Sequence, residues 1–353
     1  MKLKLNKQDE CKLQHLITAL DSNIEIANLY TDYLTEHYND IDLELLEEFG
    51  SYYLALLTVL NIDETSVELK PLVKNHHLDQ IDCLNTQDYL NNPYYKNIKL
   101  PKLKKDNWEF TSNTFLPYEG FVYCDLTFNG FYEVTHLGYF TKPLVYPLLL
   151  QNNAIWMSIT PHEINTMQAS VNHATGNILV MGLGLGYFAY MCSIKKAVQK
   201  ITIIENDPTI IALFKQYILP QFEDKTKITI IQMDAVEYLR TAPHFDYTFI
   251  DLWHNEEDGL PLYLKLKQLE KDNSVDYWIE SSLLAMIRRA LLVVLDEALH
   301  NSPQNYENAQ NNSDKLINAI SKYYQDYELT SFAAIEELIS INNLKKIIKK
   351  LKI

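Results

Sequence analysis

The sequence predicts an α/β fold: a doubly wound, mostly parallel sheet with a helical N-terminal region, a small antiparallel β unit and a helical C-terminal extension. Three observations predict it. From residue 177, short apolar runs alternate with amphipathic stretches, the pattern of βαβ units whose sheet is covered on both faces. The first run is followed at once by Gly182, Gly184 and Gly186, three of only nine glycines in the chain. The next three runs each end at or beside a carboxylate, Glu205, Asp234 and Asp251. Open parallel sheets bind their ligands at such strand ends.

At 353 residues the chain exceeds what one small core needs. Two domains, or one α/β domain with sizeable additions, are therefore expected. Residues 1–107 are read as the helical N-terminal region. There CKLQHLITAL and LELLEEFGSYYLALLTVL space their apolar residues by three and four, as an amphipathic helix requires. Towards its end, NNPYY and KLPKLKKDN are turn and linker signals. Residues 108–160 are read as the β unit. GFVYCDLTFNGFYEV alternates and is rich in aromatic and β-branched residues, and Asn129-Gly130 signals a two-residue hairpin.

Residues 161–300 are read as the α/β domain. Thr160 as N-cap, Pro161 at the first helical position and Glu163 at the third make a capping box, and Ile164, Met167 and Val171 make one apolar stripe. Strands follow at NILVMG, ITIIEND, ITIIQMDA, DYTFIDLW and VDYWIE, with amphipathic stretches at 187–196, 208–219, 235–241, 259–270 and 281–300. Trp278 and Glu280, at the end of the fifth strand, are expected to pack rather than react. Residues 301–353 are read as a polar linker over 301–313 and helices that cap the domain.

Composition excludes several function classes. The net charge of −15 opposes binding to nucleic acid or an anionic membrane, which depends on neutralising phosphates. Lys102, Lys104 and Lys105, and the tail lysines Lys345, Lys346, Lys349, Lys350 and Lys352, read as solvated surface. Cys11, Cys83, Cys124 and Cys192 form no C-x-x-C pair and the ten histidines no H-x-x-x-H spacing, so neither a metal site nor a disulfide framework is expected. LLAMIRRALLVVL is interrupted by Arg288 and Arg289, and no apolar run reaches the roughly 18 residues of a membrane span. The start, MKLKLNKQDE, lacks the apolar core of a secretory signal. A soluble cytoplasmic protein is the expectation.

The glycine cluster carries the chemistry. The dinucleotide fingerprint G-x-G-x-x-G needs a glycine where this chain has Tyr187, and a phosphate-binding P-loop needs a G-K-[ST] that does not follow. A phosphate-free ligand with a ribose and a base fits the spacing better. Glycines admit it to the backbone, one carboxylate grips the ribose hydroxyls, and a second accepts from a base amino group.

On these residues, 177–280 resembles the class I S-adenosylmethionine-dependent methyltransferases, a Rossmann-like superfamily. The resemblance implies S-adenosylmethionine as cofactor. It implies that Gly182, Gly184 and Gly186 lie beside its methionine part, that Glu205 holds the ribose, and that Asp234 with Ala235 meets the adenine. Asp251 and Trp253 would face the methyl group, and Leu183, Tyr187 and Asn206 complete the cofactor-binding set. Val180 stands where many members carry an acidic residue. An N-terminal β unit ahead of the same domain is also the layout of the spermidine-synthase-like polyamine aminopropyltransferases. That family's G-G-G-D-G-G places its aspartate at Leu185 here, and its D-x-x-D would be Asp251 and His254.

The function so implied is methyl transfer to a small-molecule or protein acceptor. Aminopropyl transfer from the decarboxylated donor, and a non-catalytic cofactor-binding module, are the alternatives. A general base is needed only for a nucleophile that arrives protonated, and Asp251 and His254 are the catalytic candidates. Glu256, Glu257 and Asp258 read as a solvated acidic turn. No N-P-P-Y motif is present, so the acceptor stays unassigned. The helical region and the β unit are expected to form the lid, the substrate side or a homodimer contact.

Overall fold

A computed structural model describes residues 1–270, 274–304, 306 and 310–351. Residues 305 and 307–309 of the expected linker, and Lys352, lie outside the described residues. The chain opens with a long helix, α1 (Lys7–Asp32). Asn6 caps it by accepting from the Asp9 backbone N–H at 2.9 Å. Shorter helices, Leu43–Phe49, Tyr52–Val59 and Leu69–His76, pack against its second half around Tyr30, Tyr33, Tyr52 and Leu56.

The β unit is a four-stranded antiparallel sheet in the order Ala154–Ser158, Leu144–Gln151, Trp108–Phe115, Leu103–Lys105, beside a three-stranded sheet. In the smaller sheet Leu137–Phe140 pairs with Gly120–Val122 and, in parallel, with Asp82–Leu84. The expected hairpin forms one residue later than its signal. Asn129 pairs with Tyr132, so the two-residue turn is Gly130-Phe131. Gly130 takes φ +62°, and a glycine at the first central position is what a type II′ turn selects.

Helix α2 (Pro161–His173) delivers the chain to a five-stranded sheet: β1 (Gly176–Met181), β2 (Val198–Glu205), β3 (Ile228–Gln232), β4 (Tyr247–Ile250) and β5 (Val275–Tyr277). The order is β3-β2-β1-β4-β5, and every pairing is parallel. Ile178, Val180, Ile201, Ile203, Phe249 and Ile250 are buried, because helices cover both faces. These helices are α3 (Tyr187–Ser193), α4 (Pro208–Leu213), α5 (Ala235–Thr241), α6 (Glu256–Leu269) and α7 (Glu280–His300). Three expected strand ends move: β3 stops at Gln232, β4 at Ile250 and β5 at Tyr277, so Asp234 and Asp251 lie just beyond the sheet, as does Trp278, and Glu280 begins α7. The winding direction reverses between β1 and β4, which opens a crevice at their carboxyl ends.

Two contacts fix other elements against this sheet. The Asp125 carboxylate, from the β unit, accepts from the Ser281 and Ser282 backbone N–H groups at 3.0 and 3.2 Å, and so holds the start of α7. After α7, α8 (Asn312–Tyr323), α9 (Phe332–Leu338) and α10 (Ile341–Ile348) close over the outer side of the domain. Among the described residues no helix is long and apolar enough to cross a membrane.

Candidate functional site

The glycine loop sits at the reversal point, and each glycine has its own reason. Gly182 has φ +94°, and its N–H donates to Ile204 O at 2.9 Å. A Cβ there would lie 1.8 Å from the Asp251 carbonyl oxygen, so the chain leaving β1 touches the chain leaving β4. Gly186 has φ +73° and is the N-cap of α3, and its Cβ position is filled by the Phe214 ring at 2.4 Å. Gly184, at φ +50°, faces only the end of the Met157 side chain at 3.1 Å. The expectation that all three glycines bare the backbone to a ligand is therefore corrected at Gly186. Protein packing fills the Cβ positions of Gly182 and Gly186, yet Gly182, like Gly184, keeps its backbone on the cleft, and of the three only Gly186 is buried.

Gly182 and Gly184 line a cleft of about 240 Å³ above the carboxyl ends of β1, β2 and β4. Leu183, Glu205, Asn206, Asp234 and Ala235 line it too, as do Asp251, Trp253 and His254. Two members of the expected set do not. Gly186 lies behind the loop. Tyr187 is buried in the core, where its hydroxyl accepts from Asn92 Nδ2 at 2.9 Å and its ring leans on Tyr94. At the first position of α3 the side chain turns towards the Pro93–Asn97 helix and away from the cleft.

Glu205 closes the end of β2. One carboxylate oxygen accepts from the Leu183 N–H at 3.1 Å, the other from the Asp207 N–H at 2.8 Å. It therefore ties the glycine loop to the next turn, and a lone pair on each oxygen stays available. Asp234 is exposed and caps α5, accepting from the Glu237 N–H at 2.9 Å.

Asp251 follows β4 directly, its N–H donating to Met181 O at 2.9 Å. Burial pushes its carboxyl up to about 7. Its neighbour is Glu163 of α2, which sequence reasoning assigned only to helix capping. Half of that capping box forms: the Thr160 hydroxyl accepts from the Glu163 N–H at 3.4 Å. The Glu163 carboxyl turns inward instead, and its Oε2 is shut away from solvent without a partner. Burial first, and the Asp251 charge second, raise it well above the ordinary range. Next to it, burial lowers His162 to about 4, so this imidazole is neutral at pH 7.

His254 stands exposed at the cleft edge. Its Nδ1 lies 2.9 Å from Asp258 Oδ2, and its ring faces Trp156 edge-on at 6.5 Å. Asp258 is not a free acidic turn residue. It accepts from the His254 and Asn255 backbone N–H groups, while Asn255 accepts from those of Glu257 and Asp258. That capping box starts α6 at Glu256, and its signal, Asn255 three residues ahead of an acid, is in the sequence. Trp253 is buried between Gly259, where a Cβ would meet its ring at 2.6 Å, and Tyr277, whose ring is parallel at 6.4 Å. Its Nε1 has no partner. Trp156 and Met157, from the last strand of the β unit, form the opposite wall. No local motif marks them, since only tertiary folding brings that strand over the sheet.

No protein-family model matches the sequence, and no curated protein matches it. Among solved structures, the chain is similar to a spermidine synthase from Thermotoga maritima, at 16% identity over 40% of this chain and 54% of that one, TM-score 0.30. It is similar to a candidate O-methyltransferase from Klebsiella pneumoniae, at 14% identity over 46% and 66%, TM-score 0.27. It is also similar to a candidate caffeoyl-CoA O-methyltransferase from Staphylococcus aureus, at 19% identity over 45% and 70%, TM-score 0.26. The matched part spans about half the length of the first of these chains.

Proposed function

We propose that the chain binds an S-adenosyl sulfonium nucleoside in this cleft and transfers its methyl group to an acceptor. One observation carries the reading. Gly184, Glu205, Asp234, Asp251 and Trp253, assigned to that ligand from spacing and resemblance, line a single cleft at the reversal point of a parallel sheet. The residues present fit such a group. Gly184 offers bare backbone, Glu205 retains lone pairs for ribose hydroxyls, and Trp253 Nε1 and Glu163 Oε2 are buried polar atoms still without partners.

When bound, the sulfonium nucleoside supplies an already activated methyl group. The protein's part is alignment and exclusion of water. Trp253, Trp156 and Met157 give the cleft apolar walls. Asp251, poised near neutrality, can accept the proton of a nucleophile that arrives protonated. His254, held by Asp258, is the second candidate base.

A thermal-shift panel tests the reading. S-adenosylmethionine and S-adenosylhomocysteine should each raise the melting temperature, since a ligand at about 100 times its Kd stabilises by roughly 2.7 kcal/mol. NAD and ATP, which need phosphate cradles the loop lacks, should not. A shift with NAD or ATP alone, or with none of the four, overturns the reading. A shift with decarboxylated S-adenosylmethionine alone favours aminopropyl transfer.

A further inference from the structure

We propose that the Glu163 and Asp251 carboxyls act as one charge-reading unit, which holds a sulfonium in the cleft and releases the corresponding thioether. The inference rests on the sulfonium-nucleoside reading of the same cleft.

The geometry has three parts. Asp251 is pinned where the β1 and β4 chains touch, with its carbonyl in the Cβ position of Gly182 and its side chain on the cleft wall. Glu163 approaches from the first turn of α2, which Trp278 holds to the end of β5 through a 2.9 Å bond from its Nε1 to Thr166 Oγ1. Glu163 Oε2 is sealed from solvent and meets no protein donor or acceptor. The Asp251 charge acts on the Glu163 carboxyl, and two carboxyls that feel each other in a desolvated site do not both ionise, so the pair carries one negative charge at most near neutrality.

Among the described residues, no lysine or arginine answers that charge. His162, beside Glu163, is kept neutral by burial. His254 is engaged with Asp258. Across the cleft stand Glu205 and Asp234, both acidic. Behind Trp253, Lys267 is taken up by Glu270 at 2.8 Å and Glu280 at 3.2 Å. Among the described residues, no lysine or arginine forms an ion pair with Glu163 or Asp251. The missing counter-charge must come with the ligand. A sulfonium is a cation with no N–H or O–H of its own, so a carboxylate attracts it by charge alone and needs no fixed hydrogen-bond geometry. Loss of the methyl group leaves a neutral sulfur, and the pair then takes up a proton instead.

Proton linkage gives the sign. A cation that favours the ionised pair binds more tightly as pH rises through the pair's titration, and a neutral thioether does not. The test is calorimetric titration of the full chain with S-adenosylmethionine and S-adenosylhomocysteine. The quantity read is the ratio of the thioether Kd to the sulfonium Kd. In the wild type it should rise at least about fivefold between about pH 6 and about pH 8. Asp251→Asn supplies the baseline for titration of the ligands' own amino groups, and its ratio should be low and flat. Glu163→Gln, which keeps a neutral group of the same shape beside Asp251, should retain the rise. Glu163→Ala admits water, lets Asp251 ionise at ordinary pH, and should give a ratio already high at about pH 6.

A flat wild-type ratio, an unchanged rise in Asp251→Asn, or a wild-type response in Glu163→Ala overturns the proposal while leaving the cleft reading intact. Failure of both nucleosides to bind the wild type overturns the cleft reading and this proposal with it.

Discussion

At the scale of single residues, Gly182, Gly184 and Gly186 look alike in sequence but differ in what they do. A methyl group at Gly182 would enter the Asp251 carbonyl at 1.8 Å, and neither backbone can yield. Gly182→Ala should therefore destabilise the fold severely, on the order of 4 kcal/mol or more. At Gly184 the nearest atoms belong to the flexible end of Met157. Gly184→Ala should cost only the positive-φ strain, about 1–2 kcal/mol, and lose nucleoside affinity while folding. Urea denaturation and ligand titration on the two variants check this contrast, and equal stability losses would contradict it. Glu205 and Asp234 were legible because strand ends and caps are local features. Glu163 was not. Its spacing from Thr160 already satisfied a capping box, and nothing local reveals a carboxyl turned towards a residue far along the chain.

At the scale of elements, apolar runs alternating with amphipathic stretches placed the sheet, because its central strands are written as near-continuous Val/Ile/Leu runs such as ILVM and ITII. Turns and short strands were less legible. The hairpin signal at Asn129-Gly130 was right in kind and one residue early, since the glycine takes the first turn position rather than the second. Asp82–Leu84 has three residues, too few for any periodicity.

The helix α10 illustrates a further limit. Its lysines read as solvated surface, yet Lys345 Nζ reaches Glu280 at 2.5 Å, joining the buried Lys267–Glu270–Glu280 cluster behind Trp253. Lys267 and Glu270 are both nearly inaccessible, at 6% and 5% side-chain exposure. Lys267→Met leaves the buried Glu270 with only the more distant Lys349 at 3.9 Å, while Glu280 keeps Lys345, and should cost about 3–5 kcal/mol. Lys345 is 41% exposed, and Lys345→Ala should cost less than about 1 kcal/mol. Denaturation midpoints read both values, and a Lys345 loss as large as that of Lys267 would contradict the assignment of the cluster's weight to its buried member.

At the scale of the whole molecule, the cleft depends on parts that the sequence shows only separately. The sheet supplies the glycine loop and three carboxylates. The β unit supplies Trp156 and Met157 from one side and, through Asp125, fixes the start of α7 on the other. Helix α1 buries Leu13, Leu16 and Leu20 in the main core and Ile26 and Tyr30 in the N-terminal one, so it belongs to both. Such placement is tertiary, and no window of sequence contains it. The most direct test of the central claim is calorimetric titration of S-adenosylhomocysteine into the wild type and Glu205→Ala, with the variant's fold verified by its denaturation curve. Binding to the wild type with a Kd below about 1 mM, weakened roughly tenfold or more in the variant, is the predicted result. Equal affinity in both, or no binding to the wild type, would contradict it.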